Sequence, residues 1–336
     1  MEQRTGRRGG AIAALIALLL TVTSLSSAIG IIVMMLASHG TAQPGDLSQN
    51  PWPGLPAMAL AEAALAILVY RLLARRAFPG PADPPKGGLK ELLLGMAIGG
   101  GAVAFGTLVL ALLGVYRPLG PGSWQGVLVG LAAGLGAGVA EELLFRGVLL
   151  RLFFEKWGAA WAILVNSLLF GLIHFGNDLQ IAEVLGVFLA AGLLLNAVWF
   201  FTKSVWISIG AHFAWNFALG GVFGMPISGI AVEGGGLLRS ALVGTEMLTG
   251  GVSGPEASLP FVAATSLVGL LVLGLAIRQG KLRNKPLFAK KKRPICLGAF
   301  FDRPRGGGRR EAVLFGLPIR LRPRALRPFP CGAACS

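Results

Sequence analysis

The sequence predicts an all-α fold, a polytopic membrane bundle of about eight transmembrane helices. Composition, the lengths of the apolar runs and the charge of their connections each point there. Of the 336 residues, 54% are hydrophobic and 13% charged, whereas a soluble globular domain carries about 25% charged residues. Mean hydropathy is +0.71. Eight apolar stretches have the roughly 17 to 25 residues that a helix needs to cross the hydrocarbon of a bilayer.

The first stretch, 11–37, follows Arg4, Arg7 and Arg8. Its first half has signal-peptide character, but the whole run is long enough to span and is read as an uncleaved helix. The second and third, 57–73 and 92–115, flank a linker marked by Pro79, Pro81, Pro84 and Pro85. The fourth to seventh, 126–153, 158–176, 181–201 and 204–222, follow on short connections. The eighth, 258–277, comes after a 223–257 loop rich in Gly, Pro and Ser, which carries no periodic pattern and is expected to cap the outer face. Gly95, Gly99, Gly100 and Gly101 on the third helix, and Gly130, Gly134, Gly136 and Gly138 on the fourth, would let backbones approach closely in lipid. That places these two helices near the centre of the bundle.

Formal net charge is +15, and its distribution assigns an orientation. Residues 1–277 hold 14 Lys/Arg against 13 Asp/Glu, and residues 278–336 hold 16 against 2. Within the helical part, one set of connections collects Arg75, Arg76, Lys86, Lys90, Arg151, Lys156 and Lys203. The other holds Arg117 and Arg239 beside Asp46, Asp178, Glu233, Glu246 and Glu256. Because cytoplasmic loops are enriched in Lys and Arg, both termini are expected in the cytoplasm of a multi-pass, prokaryotic-type cell-membrane protein.

The 278–336 tail has too little apolar periodicity to fold alone and is expected to be disordered. Its Lys281–Arg293 run is suited to anionic lipid, and no nucleic-acid motif accompanies the charge. Cys296, Cys331 and Cys335 all lie in this tail, at spacings that match neither a disulfide framework nor a zinc finger. Ala333 stands where a prenylation signal would need cysteine.

Chemistry is concentrated elsewhere. Glu141-Glu142-Leu143-Leu144-Phe145-Arg146 puts two acids and a base inside an apolar run, where ionisable groups are costly and mark function by default. Residues four apart share a helix face, so Glu142 lies beside Arg146 while Glu141 diverges by about 100°. Asn166, Phe170 and His174 form one stripe on the fifth span, and Ser208, His212 and Asn216 another on the seventh. Their depths, at about 1.5 Å per residue, range from roughly 12 to 24 Å, which permits a shared site. His39 has no such companions and is read as structural or interfacial.

These residue types permit two chemistries. A desolvated Glu141 beside His174 suits a general base that activates water against an amide, with His212 and Asn216 donating to the oxyanion. Alternatively, Glu141, His174 and His212 supply a Zn²⁺ site with an open water position. The HExxH helix of soluble zinc proteases is absent.

At these residues the chain resembles the CPBP family, which joins the type II CAAX prenyl proteases with bacteriocin-processing and Abi-type relatives. The motifs occur in order: Glu141-Glu142 with Arg146, Phe170 with His174, and His212 with Asn216. The resemblance covers roughly residues 120–222. It implies an intramembrane endopeptidase with eight helices and a cavity opening to the cytoplasm, acting on a membrane-associated peptide or protein. It further implies catalytic roles for Glu141, His174, His212 and Asn216, support from Glu142, Arg146 and Phe170, and either glutamate or metal dependence. The chain then divides into N-terminal helices and linker (1–119), the catalytic core (120–222), an outer loop with the last helix (223–277), and the basic tail (278–336). A second class is consistent with the same residues: a non-proteolytic immunity or scaffold protein, or a proton-coupled transporter with Glu141 and His174 as relay.

Overall fold

The computed structural model describes residues 2–38, 54–78, 88–174, 181–282, 312–314 and 317–319. His39, the proline linker, the three cysteines and most of the basic run lie outside the described residues. The chain divides into two units, Met1–Ala289 and Lys290–Ser336. The second contributes one short antiparallel pairing, β3 (Ala312–Leu314) with β4 (Leu317–Ile319), within the tail that the sequence reading left without structure.

The first unit is a helical bundle. Its helices are α1 (Glu2–Ala37), α2 (Gly54–Ala77), α3 (Gly88–Leu112), α4 (Trp124–Leu144), α5 (Leu150–Ile173), α6 (Ile181–Val187), α7 (Leu193–Thr202), α8 (Val205–Asn216), the short α9 (Glu246–Thr249) and α10 (Leu259–Arg278). Among the described residues, seven helical runs are long and apolar enough to cross a membrane, and the protein is a multi-pass membrane protein. One of these runs, Trp124–Ile173, has 50 residues. At about 1.5 Å per residue it is far longer than the roughly 30 Å hydrocarbon core. It breaks at Gly158, whose φ of 83° and ψ of 178° lie outside the helical region and are tolerated because glycine has no Cβ. Two spans therefore share the run, and the count of eight apolar crossings stands.

Among the described residues, three short π-helical segments interrupt the bundle: Phe145–Leu149 joins α4 to α5, Phe188–Gly192 joins α6 to α7, and Phe217–Val222 extends α8. Such wide turns often occur at functional sites. Here each adjoins a polar motif or a residue that supports one.

Glycine stripes set the packing around α8. A Cβ at Gly95 or Gly99 of α3 would collide with the backbone of Ile207 and Ala211, and one at Gly134 or Gly138 of α4 would press on Phe213. Both glycine-rich helices thus lie against α8, and in lipid such close backbone contact supplies dispersion energy where no hydrophobic driving force exists between helices. On the far side of α4, Gly136 admits Ala59 and Glu62 of α2, and Gly147 admits Tyr70.

Two departures from a purely helical reading occur at one end of the bundle. Tyr116–Pro121 (β1) pairs antiparallel with Leu238–Leu242 (β2), with a register shift between Pro118 and Gly120. The 223–257 loop, which lacks periodicity in sequence, is ordered by this ribbon, by α9 and by the 3-10 segment Gly251–Ala257. It is also anchored from within: buried Glu256 accepts hydrogen bonds from Trp215 Nε1 at 2.9 Å and from the Ser228 amide and hydroxyl at 2.7 and 2.9 Å.

Candidate functional site

The buried framework of the site is an ionic cluster at the junction of α4 and the first π segment. Arg146 and Glu142 are both fully buried, with Arg146 Nη1 donating to Glu142 Oε1 at 2.7 Å. Arg146 also donates from Nε to Asn196 Oδ1 at 3.2 Å and from Nη2 to the Gly192 carbonyl at 3.4 Å, and its guanidinium stands 4.4 Å from the Phe170 ring centroid. Asn196 in turn donates to Ser167 Oγ at 2.9 Å and to the Ile163 carbonyl at 3.3 Å. A buried ion pair is favourable only when its remaining polar atoms are also satisfied, and this network supplies most of those partners. Glu142 Oε2 remains without one among the described residues.

The π segments contribute directly. Asn166 Nδ2 donates at 3.0 Å to the carbonyl of Phe145, the first residue of one wide turn. The Gly192 carbonyl that accepts from Arg146 ends another. Non-α geometry thus presents two carbonyls to side chains of the site.

Glu142 has a second partner, His212, whose Nδ1 lies 3.0 Å from Glu142 Oε1. Since the carboxylate oxygen accepts, Nδ1 carries the hydrogen. Arg146, Glu142 and His212 therefore form one chain linking α4 and the π turn to α8. His174, the C-terminal cap of α5, is fixed similarly: its Nδ1 lies 2.8 Å from the Phe170 carbonyl. A carbonyl can only accept, so Nδ1 is the donor there and Nε2 of the neutral ring keeps its lone pair. Phe170 is the aromatic hub of the site, at 5.1 Å from Phe145, 5.2 Å from His174 and 5.7 Å from His212 by ring centroids.

Glu141 points elsewhere, as the 100° divergence requires. With His174, His212, Asn216 and Phe170 it lines a cavity of about 440 Å³. Its Oε2 is buried and has no hydrogen-bond partner among the described residues. Asn216 donates to the Ala133 carbonyl at 3.5 Å, a long contact. The four residues singled out as catalytic are thus brought to one cavity, while Glu142 and Arg146 lie behind it.

Sequence reasoning passed over Glu62, Glu256, Asn196 and Ser167. Glu62 and Glu256 line the same cavity, and Glu62 is only 7% exposed. The single acid in the largely apolar 54–74 run was a usable signal for Glu62. Ser208, placed on the polar stripe of the seventh span, instead donates to the Leu195 carbonyl at 3.4 Å and ties α8 to α7.

Among the described residues, no three His, Cys, Asp or Glu side chains converge as metal ligands would. Glu141, His174 and His212, as placed, do not fit the zinc set that their residue types allow, and no step below is routed through a metal.

Residues 123–218, from the cap of α4 to the turn after Asn216, match the family described as type II CAAX prenyl endopeptidase Rce1-like. No curated protein matched the chain. The family segment is less than a third of the sequence, yet it contains α4, α5, α8 and every motif residue discussed above. The similarity to that family is therefore one of the segment 123–218, which carries the motif helices.

Proposed function

We propose that the protein is an intramembrane endopeptidase that hydrolyses a peptide bond of a membrane-associated substrate with water activated by Glu141. The observation that carries this reading is the convergence of Glu141, His174, His212 and Asn216 on one cavity within the family segment.

Glu141, whose side chain lines the cavity, takes a proton from water as the water oxygen attacks the amide carbon. His174 holds the same water through Nε2, because its Nδ1 is committed to the Phe170 carbonyl. Negative charge then develops on the substrate carbonyl oxygen, where Asn216 Nδ2 and His212 Nε2 donate hydrogen bonds. Donation from His212 Nε2 requires both ring nitrogens to be protonated, and the Glu142 carboxylate at 3.0 Å is the counter-charge for that form. As the tetrahedral intermediate collapses, the C–N bond breaks and the proton held by Glu141 passes to the leaving amine. Protons and electrons balance without a further co-reactant.

The test is cleavage of a quenched-fluorescence peptide pool by detergent-purified protein. Glu141→Gln keeps the shape but removes proton acceptance, so the rate should fall by about 100-fold or more. Activity should persist in a chelator. Full activity of Glu141→Gln overturns the mechanism, and loss in chelator with recovery on adding Zn²⁺ would transfer Glu141, His174 and His212 to ligand roles.

A further inference from the structure

A buried acid from outside the family segment reaches the cavity. Glu256 lies in the 3-10 segment before α10, is 4% exposed, and lines the cavity together with Trp215, Asn216, Ile227, Ser228 and Ile230. A buried acid is costly unless it is hydrogen-bonded. Its partners tie two walls of the cavity together: Oε1 accepts from Trp215 Nε1 of α8, and Oε2 accepts from the Ser228 amide and hydroxyl.

Trp215 is the lever on the catalytic stripe of α8. At about 100° per residue it is turned roughly 60° from His212 and roughly 100° from Asn216. Its indole is held at Nε1 by Glu256 and packs edge-to-face on Phe261 of α10, with ring centroids 5.8 Å apart. His212 has its own tether, Glu142 at 3.0 Å. Asn216 makes a long contact of 3.5 Å to the Ala133 carbonyl, so the direction of its amide follows the rotation of α8 about its axis. A donor to an oxyanion has to be held within about 0.5 Å and 10–20° of the productive geometry, and fixing the neighbouring indole fixes that rotation.

Glu256 is itself rigidly mounted. A Cβ at Gly186 of α6 would collide with the Glu256 carbonyl, and Gly254, at φ 75°, packs against Pro226. Two residues later Ser258 caps α10 and donates to the Leu248 carbonyl at 2.6 Å. The other wall is equally determined. Ile227 and Ile230 exchange both backbone hydrogen bonds, at 3.0 and 2.9 Å, around Ser228 and Gly229, whose φ values are 44° and 78°. Positive φ is uncommon for serine and persists where the surroundings over-determine it, often at ligand clamps. Here the two hydrogen bonds from Ser228 to Glu256 do so.

We infer, on the basis of the endopeptidase reading, that Glu256 is a positioning residue for the hydrolysis. Through Trp215 it sets the direction of the Asn216 amide toward the substrate oxyanion, and through Ser228 it holds the 227–230 turn in the wall of the same cavity.

The test uses detergent-purified protein and a quenched-fluorescence peptide that it cleaves. Trp215→Phe keeps an aromatic ring against Phe261 and removes the Nε1 donor. Its kcat, measured per folded molecule well below the melting temperature, should fall by about tenfold or more while KM changes by less than about twofold, because a misdirected donor costs rate in the transition state. In an Asn216→Ser background, followed in single turnovers with enzyme in excess, the same replacement should cost less than about twofold further, since residues that act as one unit are not additive. A merely structural role would lower the rate equally in both backgrounds. Unchanged kcat in Trp215→Phe, or equal losses in the two backgrounds, overturns the inference while leaving the endopeptidase reading intact. If Trp215→Phe does not fold, Glu256→Gln, which keeps one acceptor oxygen, is measured in the same two backgrounds and judged by the same outcomes. Full activity of Glu141→Gln, or no cleavage by the unmutated protein, refutes the endopeptidase reading and the positioning role with it.

Discussion

His212 Nδ1 lies 3.0 Å from the same Glu142 oxygen that Arg146 Nη1 reaches at 2.7 Å. One carboxylate oxygen thus balances a guanidinium and orients an imidazole from a different helix. Replacing Glu142 with glutamine leaves Arg146 buried without its counter-charge, which should cost about 3 to 5 kcal/mol. Its expected signature is a lower melting temperature in detergent together with lost activity, whereas Glu141→Gln should lose activity with little change in melting. Equal melting of Glu142→Gln and the unmutated protein would show that the pair contributes no stability.

Asn216 is expected to act on the transition state. Its amide makes one long hydrogen bond at 3.5 Å to Ala133, so truncation strands little inside the fold. Asn216→Ala should raise the barrier by about 3 to 4 kcal/mol if the amide donates to the oxyanion. The fall should appear in kcat rather than KM, since the developing charge exists only in the transition state.

Glycine position should decide tolerance within a single helix. A Cβ at Gly99 would strike the Ala211 backbone, whereas a Cβ at Gly101 meets nothing within 4 Å. Gly99→Val should displace α3 from α8 and sharply reduce the yield of folded protein in membranes. Gly101→Ala should be neutral, or stabilising by about 0.4 to 1 kcal/mol because the unfolded chain loses freedom. Similar yields and melting temperatures for both variants would contradict the α3–α8 contact.

Lys203 gives a pH dependence. It caps α7 in the left-handed region at φ 65°, and its ammonium lies 3.8, 4.2 and 4.7 Å from the ring centroids of Phe200, Phe154 and Trp199. Burial, and secondarily Lys281, pushes its pKa down to about 7 from 10.5. The three rings favour the charged form and temper that shift. Between about pH 7 and 10.5 the unfolded chain binds the proton that the folded protein releases, so this group makes stability rise with pH across that window. Below pH 7 both states are protonated and the penalty is constant. Melting curves from pH 7 to 9 should show an upward slope that is reduced in Lys203→Met; an unchanged slope would mean the aromatic rings hold the charge through that range.

The sequence by itself determined the membrane class, the approximate spans and the motif residues, because apolar length and the cost of burying charge are properties of local composition. It also determined that Glu141 and Glu142 take different directions, since 100° per residue is fixed by the helix. The glycine runs on α3 and α4 were legible as contact surfaces for the same reason. Tertiary structure alone decided which residues meet. Glu142 finds His212 seventy positions away, Arg146 finds Asn196 and Gly192, and Glu62 and Glu256 join the cavity from helices and loops outside the family segment. No local pattern encodes those pairings. The β1–β2 ribbon was hidden because β1 carries Pro118, Gly120 and Pro121, neither strand alternates, and the two are separated by more than a hundred residues. The cavity itself forms where α1, α2, α4, α5, α8 and the 223–257 loop meet, a consequence of packing rather than of hydropathy.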